Sequence, residues 1–259
     1  MIPIRDVNPS RHFPWVTVAL IAVNFGVFLL AEPSASSAGD QQAFLFCNAE
    51  IPYEVTHHTS LATAGADAVP YIQQDYGVNA ADAVQLERDL ASLCPSKSWL
   101  WSVVESMFLH AGWLHILGNM LYLWIFGDNV EDRLGRVRYL AFYLAGGLAA
   151  AGLSLAMGPN STVPNLGASG AIAAVLGAYL VFYPRARVLV VGLPWFVFQL
   201  PAVAVLGFWF LLQLVSGAGS IGTQVNGGVA YWAHVGGFAF GLAVAWLVLQ
   251  SSRVSRAQQ

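Results

Sequence analysis

Long apolar stretches interrupted by few charges are the feature that most constrains this chain. Of its 259 residues, 57% are hydrophobic and only 10% are charged, whereas soluble domains carry about 25% charged residues. A bilayer span needs roughly 20 apolar residues. We therefore expect an all-α membrane protein, with one domain over residues 1–259 and six transmembrane helices. The predicted spans, of which the second and fourth are short, are 14–31, 112–127, 137–157, 169–183, 188–215 and 229–250.

Positive charges are unevenly distributed between the segments that connect these runs. Nine of the eleven Lys and Arg residues fall on one side of the predicted membrane, and only Arg88 and Lys97 fall on the other. Segments rich in Lys and Arg stay in the cytoplasm, so both termini are predicted to be cytoplasmic. The first run lacks a cleavage site and is not expected to be a signal peptide. A net charge of −3 without a basic cluster gives nucleic acid nothing to bind.

The segment between the first two runs, residues 32–98, is the only sizeable polar stretch. We expect it to form an extracytoplasmic insertion. It contains both cysteines, Cys47 and Cys94, and an oxidising compartment favours a disulfide between them. Two unpaired thiols in a small subdomain are the alternative. Residues 80–91 are predicted to form a short helix capped by Asn79.

Two polar residues lie near the starts of apolar runs, where hydrocarbon disfavours them. Ser169 opens the fourth run, and His234 lies near the start of the sixth. A serine and a histidine on different spans indicate a nucleophile and its base. The plainer interpretations are that the serine is a helix N-cap and that the histidine is bonded for packing alone.

Small residues follow Ser169 and His234 at helical spacing. Each of the two helices therefore has a small-residue face, formed by Ala173 and Gly177 in the fourth run and by Gly237 and Gly241 in the sixth. Small residues let membrane helices approach closely. Ser169 and His234 are therefore predicted to meet near the ends of their helices.

A third group of polar residues begins the second run. His115 and Asn119 are four residues apart and share a helix face. Both donate hydrogen bonds, as an oxyanion hole requires. His110 lies in the loop before the helix, where a structural role is expected. Zinc held by the histidines is a weaker interpretation, because no His-Glu-x-x-His motif or intramembrane acid accompanies them, and no metal or cofactor is expected.

Taken together, these residues resemble the rhomboid intramembrane serine proteases, and in particular the bacterial members with six transmembrane helices. The resemblance covers nearly the whole chain apart from the insertion. Three motifs occur in the order that is found in the family: His110-x4-His115-x3-Asn119, Gly167-x-Ser169-Gly170 and Ala233-His234-x2-Gly237.

The resemblance implies a Ser-His dyad that hydrolyses a peptide bond in or near the transmembrane helix of a membrane-protein substrate. Ser169 would be the nucleophile and His234 the general base. His115, Asn119 and the backbone N–H of Ser169 would form the oxyanion hole. Other residues beside the site would have structural roles, namely His110, Gly167, Gly170 and Gly237.

The resemblance also implies roles for three further segments. Residues 99–113 would dip into the outer leaflet, residues 217–228 would form a flexible cap, and the run 188–215 would be a lateral gate. Pro194 and Pro201 interrupt that run. The active site would open to the extracytoplasmic side of a membrane, which the composition allows to be a bacterial inner membrane.

Two positions depart from the family pattern. Trp101-Ser102 stands where many members have a Trp-Arg pair, and Ala173 stands where some have a tyrosine that stacks on the catalytic histidine. The residue that orients His234 therefore stays open. Ala173 and Gly177, as small residues near the nucleophile, would favour a small substrate residue before the cut.

Two other functions compete with proteolysis. A catalytically silent relative would bind transmembrane helices without cutting them, but such relatives usually lack the serine or the histidine that are both present here. A transporter using His234 as a proton carrier would need acidic partners within the spans, and the sequence offers none near it. The sequence identifies neither the natural substrate nor the oligomeric state.

Overall fold

The computed structural model describes residues 2–32, 38–192, 196–220 and 230–257, and most of these are helical. Two short 3-10 turns, Gly65–Asp67 and Ser106–Phe108, complete the secondary structure of the described ranges. The strands and helices in chain order are β1 Ile2–Asp6, α1 Trp15–Leu30, α2 Ala38–Asn48, α3 Pro52–His57, α4 Leu61–Ala64, α5 Val69–Tyr76, α6 Ala80–Leu93, α7 Ser102–Glu105, α8 Trp113–Leu134, α9 Arg136–Met157, α10 Ser169–Phe182, β2 Arg187–Val191, β3 Val197–Pro201, α11 Ala202–Ser220 and α12 Tyr231–Ala257.

Three helices in the described part are long and apolar enough to cross a membrane, namely Arg136–Met157, Ala202–Gly219 and Tyr231–Ser251. α1 and α10 are shorter apolar helices. α8 has 22 residues, because the helix continues beyond the predicted second span, 112–127, through a polar segment to Leu134. The fourth is short as predicted, with 14 residues.

The fifth apolar run is not one helix, contrary to the prediction for residues 188–215. Its first part forms β2 and β3, and α11 begins only at Ala202. β2 pairs antiparallel with both β1 and β3. The β-branched valines of β2 suit a strand, and Pro201 has no N–H to donate within a helix. Pro194 lies outside the described residues.

The predicted cap over residues 217–228 lies largely outside the described residues. Its first four residues, 217–220, belong to α11 and are therefore helical. The segment predicted to dip into the outer leaflet, residues 99–113, contains α7 and a 3-10 turn. Leu100, Trp101 and Trp113 on this segment are each more than half exposed.

α10 lies at the centre of the helical bundle. All of its residues from Gly170 to Tyr179 are buried, and it packs against α8, α9 and α12. Its contact with α12 is close enough that a Cβ added at Gly237 would collide with the carbonyl oxygen of Gly170. A Cβ added at Gly241 would collide with the carbonyl of Ala174 in the same way. The two predicted small-residue faces therefore meet.

Ala173 and Gly177 belong to these contacts. Gly177 lies against the backbone of Phe238, and Ala173 lies against Gly237. Both small residues serve the packing of α10 on α12, and they do not line the cavity beside Ser169. The preference for a small substrate residue before the cut stays a prediction.

Residues 38–98 have a hydrophobic cluster of their own, centred on fully buried side chains such as Ile51, Leu61 and Ile72. Cys47 and Cys94 form a disulfide, as predicted. The short helix predicted over residues 80–91 is α6, which begins at Ala80 with Asn79 as its cap. Local sequence signals were sufficient for these features.

Lys97 is buried in the same segment. Its Nζ lies 2.7 Å from Oε2 of Glu54, and both side chains are 2% exposed. Nζ also donates to the carbonyl oxygen of Phe46 at 2.7 Å. Burial lowers the pKa of Lys97, and the charge of Glu54 opposes this shift. Lys97, one of the two positive residues between the first two apolar runs, therefore forms a buried ion pair inside this segment.

The same segment is bonded to the α9–α10 loop, residues 158–168, which leads into α10. The N–H of Asn165 donates to the carbonyl oxygen of Glu50 at 2.7 Å. The N–H and Oγ1 of Thr162 donate to Oδ2 of Asp75 at 2.6 and 2.8 Å. These bonds fix the backbone shortly before Ser169.

The first turn of α1 is capped from α8. The carboxylate of Glu131, which is buried, accepts the N–H of Val16 at 3.0 Å and the N–H and hydroxyl of Thr17, both at 2.8 Å. The N-cap residue, Pro14, offers no side-chain bond. A negative charge at a helix N-terminus satisfies free N–H groups and complements the helix dipole. Glu131 therefore holds α1 on α8.

Candidate active site

Ser169 and His234 meet where α10 and α12 begin. Ser169 is the first residue of α10, His234 lies in the first turn of α12, and Ser169 Oγ is 2.8 Å from His234 Nε2. Ser169 does not cap its helix, because the N-cap residue is Ala168 and no side chain caps the end. Its hydroxyl is instead engaged by an imidazole 65 residues away in sequence.

The second ring nitrogen of His234 faces α11. Nδ1 lies 2.7 Å from Oε1 of Gln213, and the ring of Trp209 is tilted against the imidazole at 5.8 Å between centroids. Trp209 and Gln213 are four residues apart and share a helix face. Sequence reasoning missed both. The available signal was a glutamine within an apolar run, since a polar residue inside a span is a functional candidate.

His115 lies on the other side of Ser169. A Cβ added at Gly167 would lie 2.9 Å from Cε1 and Nε2 of His115 and 3.5 Å from Oγ of Ser169. Gly167 has φ +121, a backbone conformation that favours glycine. The N–H of Ala111 donates to Nδ1 of His115 at 3.4 Å. The proton of a neutral ring therefore lies on Nε2, which faces the space beside Gly167.

Asn119 lies one turn after His115 on α8. It is 9% exposed, and its Nδ2 has no hydrogen-bond partner among the described residues. A buried amide donor that lacks a partner costs about 1–3 kcal/mol. Such a donor is available for an anion or a polarised carbonyl.

His110 occupies a separate position in this region. It is fully buried, and its ring packs against that of His115 at 5.1 Å between centroids. Its backbone N–H donates to Oε1 of Glu32 at 2.9 Å. Glu32 lies two residues after the last residue of α1, so this bond links the end of α1 to the loop that precedes α8. The structural role of His110 stays a prediction.

A cavity of about 40 Å³ lies beside Ser169. Its walls include the polar residues Glu50, Ser106, Ser154 and Asn165. One water needs roughly 10–15 Å³, so the cavity accommodates about three. No group of three His, Cys, Asp or Glu within the described ranges could hold a metal.

Glu50 places a titratable group from residues 38–98 in the cavity wall. Burial raises the pKa of its carboxyl to about 7, against the opposing effects of the Asn165 amide and the Lys97 charge. The carboxyl is only 2% exposed. The charge of the Glu50 carboxyl in this wall therefore changes near neutral pH.

Comparison with known proteins gives one consistent result. Residues 97–251 match the Rhomboid domain model. Rhomboid protein 1, mitochondrial, of Saccharomyces cerevisiae is 30% identical over 60% of this chain and 44% of its own length. Rhomboid protease GluP of Bacillus subtilis is 32% identical over 52% of this chain and 26% of its own length. RHOMBOID-like protein 4 of Arabidopsis thaliana is 26% identical over 95% of this chain and 55% of its own length.

The chain therefore spans only part of each of these relatives, between about a quarter and about a half of their length. The matched region covers more than half of this chain. It contains Ser169, His234 and the helices that bring them together. Its apolar helices are those of an integral membrane protein, and the chain belongs to the rhomboid family.

Proposed function

We propose that this chain is an intramembrane serine endopeptidase with Ser169 and His234 as its catalytic dyad. The observation that carries the proposal is the 2.8 Å contact between Ser169 Oγ and His234 Nε2 at the N-terminus of a buried helix. Membership of the rhomboid family and the similarity to a protein named as a rhomboid protease support it. No cofactor enters the mechanism.

The dyad acts by covalent catalysis. His234 Nε2 takes the proton of Ser169 as Oγ attacks the carbonyl carbon of the scissile bond, and it then gives that proton to the leaving amine. The acyl group stays on Ser169 as an ester. Water then attacks the ester, His234 accepts its proton, and the hydroxyl of Ser169 is restored. The cavity beside Ser169 has room for that water.

The negative charge that develops on the carbonyl oxygen needs donors. The backbone N–H of Ser169 lies in the first turn of α10, where N–H groups lack helical acceptors and the helix dipole is positive. His115 Nε2 and Asn119 Nδ2 are the side-chain donors of the proposed oxyanion hole. The bonding of His115 and the unpartnered amide of Asn119 support these roles.

The proposed setting is a six-span membrane domain with residues 32–98 as an extracytoplasmic insertion. Both termini are cytoplasmic in this arrangement, and the active site opens to the opposite side of a bacterial inner membrane. The substrates are membrane proteins within the lipid bilayer. A regular helix hides its carbonyl groups in hydrogen bonds, so substrates are those whose helix ends are loosened by small residues or proline.

A cleavage assay in liposomes tests the proposal. The substrate is a single-span protein with a Gly/Ala-rich helix end, and the variants are Ser169→Ala and His234→Ala. Ser92→Ala and His12→Ala serve as matched controls at surface positions. We expect cleavage by the wild type and both controls, and its loss in both dyad variants. Cleavage that survives in Ser169→Ala overturns the mechanism.

A serine-directed fluorophosphonate probe separates the remaining outcomes. Labelling of the wild type and loss of labelling in Ser169→Ala, without cleavage of the model substrate, indicates an active enzyme with a narrow substrate requirement. Absence of both labelling and cleavage contradicts an active dyad. That result favours a silent relative that binds transmembrane helices.

A further inference from the structure

The dyad has two members, and no acidic residue contacts the far side of its histidine among the described residues. In a Ser-His-Asp triad the third residue accepts a hydrogen bond from Nδ1–H, which keeps the proton on Nδ1 and leaves Nε2 free to act as the base. In this chain Nδ1 of His234 meets the amide oxygen of Gln213 at 2.7 Å.

The orientation of the Gln213 amide is supported by a second, longer contact. Its Nε2 donates to the carbonyl oxygen of Trp209 at 3.5 Å, one turn earlier in α11. A carbonyl oxygen only accepts, so the NH2 end of the amide faces Trp209 and Oε1 faces His234. The Nδ1 of His234 must then carry its proton.

We propose that Gln213 is a neutral positioning residue that holds His234 as the Nδ1-H tautomer with Nε2 directed at Ser169. This inference rests on the proposed function for its catalytic consequence. The chain of bonds runs from the hydroxyl of Ser169 through both nitrogens of His234 and the amide of Gln213 to the carbonyl of Trp209. Gln213 thus orients the imidazole, while Ala173 packs against α12.

Because Gln213 lies on α11, the orientation of His234 depends on that helix. α10 and α12 are locked by backbone contacts at glycines. Only 17% of the residues in the most apolar part of α11 are buried, compared with 33% in α9 and 28% in α12. A displacement of α11 away from α12 breaks the Gln213–His234 bond, whereas the α10–α12 contact remains.

The tautomer is tested directly by 15N NMR of histidine-labelled full-length protein in micelles, with the His234 signals identified by their loss in His234→Ala. We expect Nδ1 to be protonated and Nε2 unprotonated in the wild type at neutral pH. In Gln213→Leu, which keeps the bulk but not the acceptor, we expect this preference to be lost. An Nε2-H tautomer, or a tautomer unchanged in Gln213→Leu, overturns the inference whether or not the protein is active.

Kinetics give the second readout. Gln213→Leu is expected to lower kcat by about ten- to a hundredfold with little change in KM, the effect of losing one orienting hydrogen bond. Gln213→Glu restores an acceptor, so activity should return. It also adds a charge that stabilises the imidazolium, so the acidic limb of the pH–rate profile should shift to higher pH by about one unit or more. Leu212→Ala, a neighbour on α11, is the control.

The kinetic outcomes distinguish the two proposals. An active wild type with an equally active Gln213→Leu refutes the role of Gln213 and leaves the dyad intact. A purely structural role lowers the unfolding temperature of Gln213→Leu but leaves the pH profile of Gln213→Glu unchanged. A wild type that neither cleaves nor reacts with a serine probe refutes the proposed function, while the tautomer measurement still decides the bonding of Gln213.

Discussion

The carbonyl oxygen of Gly170 lies directly against the α-carbon of Gly237, where α10 crosses α12. Gly170 follows Ser169 in sequence, and Gly237 lies one turn beyond His234. The position of the serine relative to the histidine is therefore set by a backbone-to-backbone contact. Such contacts are available only where a side chain is missing.

Gly237→Ala is expected to lower kcat by about a hundredfold. A methyl group at this position collides with backbone and cannot be accommodated by a rotamer change, so α12 must shift. A misplacement of about 1 Å at reacting groups costs roughly a hundredfold in rate. The measurement is kcat in the liposome assay, together with labelling by the serine probe.

Gly152→Ala is the matched control for Gly237→Ala. Gly152 lies in the C-terminal half of α9, and a Cβ there meets no atom within 4 Å. Alanine has a better helix propensity than glycine by about 1 kcal/mol, so this variant should be active and at least as stable. Equal activity of the two variants contradicts the packing argument.

The pairing of α10 with α12 could be predicted because its signals are local. The glycines and alanines after Ser169 and His234 recur at helical spacing, and such faces pack closely in any membrane bundle. The polar residues on these helices then identify the candidate site. Because both helices are regular, the spacing of residues in the sequence was sufficient to predict which faces pack together.

The contribution of α11 could not be predicted in the same way. Strands β2 and β3 are as apolar as the helix that follows them, so hydropathy merged them into one span. The start of α11, and hence the face that carries Gln213, depended on that boundary. The bond from Gln213 to His234 also joins residues 21 apart, and no local pattern specifies it. The same holds for the bonds of Glu50 and Asp75 to the α9–α10 loop.

His115→Ala and Asn119→Ala are each expected to lower kcat by about a hundred- to a thousandfold, the usual cost of one oxyanion donor. KM should change little, because these donors act on charge that develops only in the transition state. Leu117→Ala on the same helix, at a half-exposed position, should keep its activity. Unchanged kcat in both variants would remove His115 and Asn119 from the oxyanion hole.

Glu131→Gln is expected to destabilise the fold by about 2–3 kcal/mol, because charge-assisted bonds to Val16 and Thr17 are weakened and an amide NH2 is placed among donors. The measurement is unfolding in mixed micelles. Asp132→Asn is the control. Its carboxylate pairs with His12, and the side chains of His12 and Asp132 are 74% and 13% exposed. A pair with one solvent-exposed partner is expected to contribute less than the buried bonds of Glu131. Equal stability of the two variants would show that the cap on α1 is dispensable.

The disulfide is expected to stabilise residues 38–98. The double variant Cys47→Ser/Cys94→Ser opens a loop of 47 residues, and the chain-entropy relation gives about 4 kcal/mol for that length. We expect a lower unfolding temperature than in the wild type under non-reducing conditions. Reduction of the wild type should reproduce the effect, and Ser92→Ala should not. A variant as stable as the wild type would mean that the hydrophobic cluster alone suffices.

Glu50 makes the stability of the fold depend on pH. Its pKa is raised by burial to about 7 from an unfolded value of 4.5. The folded state therefore favours the protonated carboxyl, and the stability present below pH 4.5 is progressively lost as the pH rises through 7. The loss amounts to about 3 kcal/mol at most, since one pKa unit corresponds to about 1.4 kcal/mol.

Glu50→Gln should remove this dependence. An amide keeps an oxygen that can accept the bond from Asn165 and cannot ionise, so the variant should match the wild type near pH 5 and exceed its stability at pH 8. Asp67→Asn, at an exposed carboxyl in the same segment, controls for the loss of one negative charge. Unfolding temperatures measured from pH 5 to 8 decide the matter, because parallel curves for wild type and Glu50→Gln are incompatible with a buried carboxyl that ionises near neutrality. A gap that opens only for Glu50→Gln assigns the titration to the wall of the cavity beside Ser169.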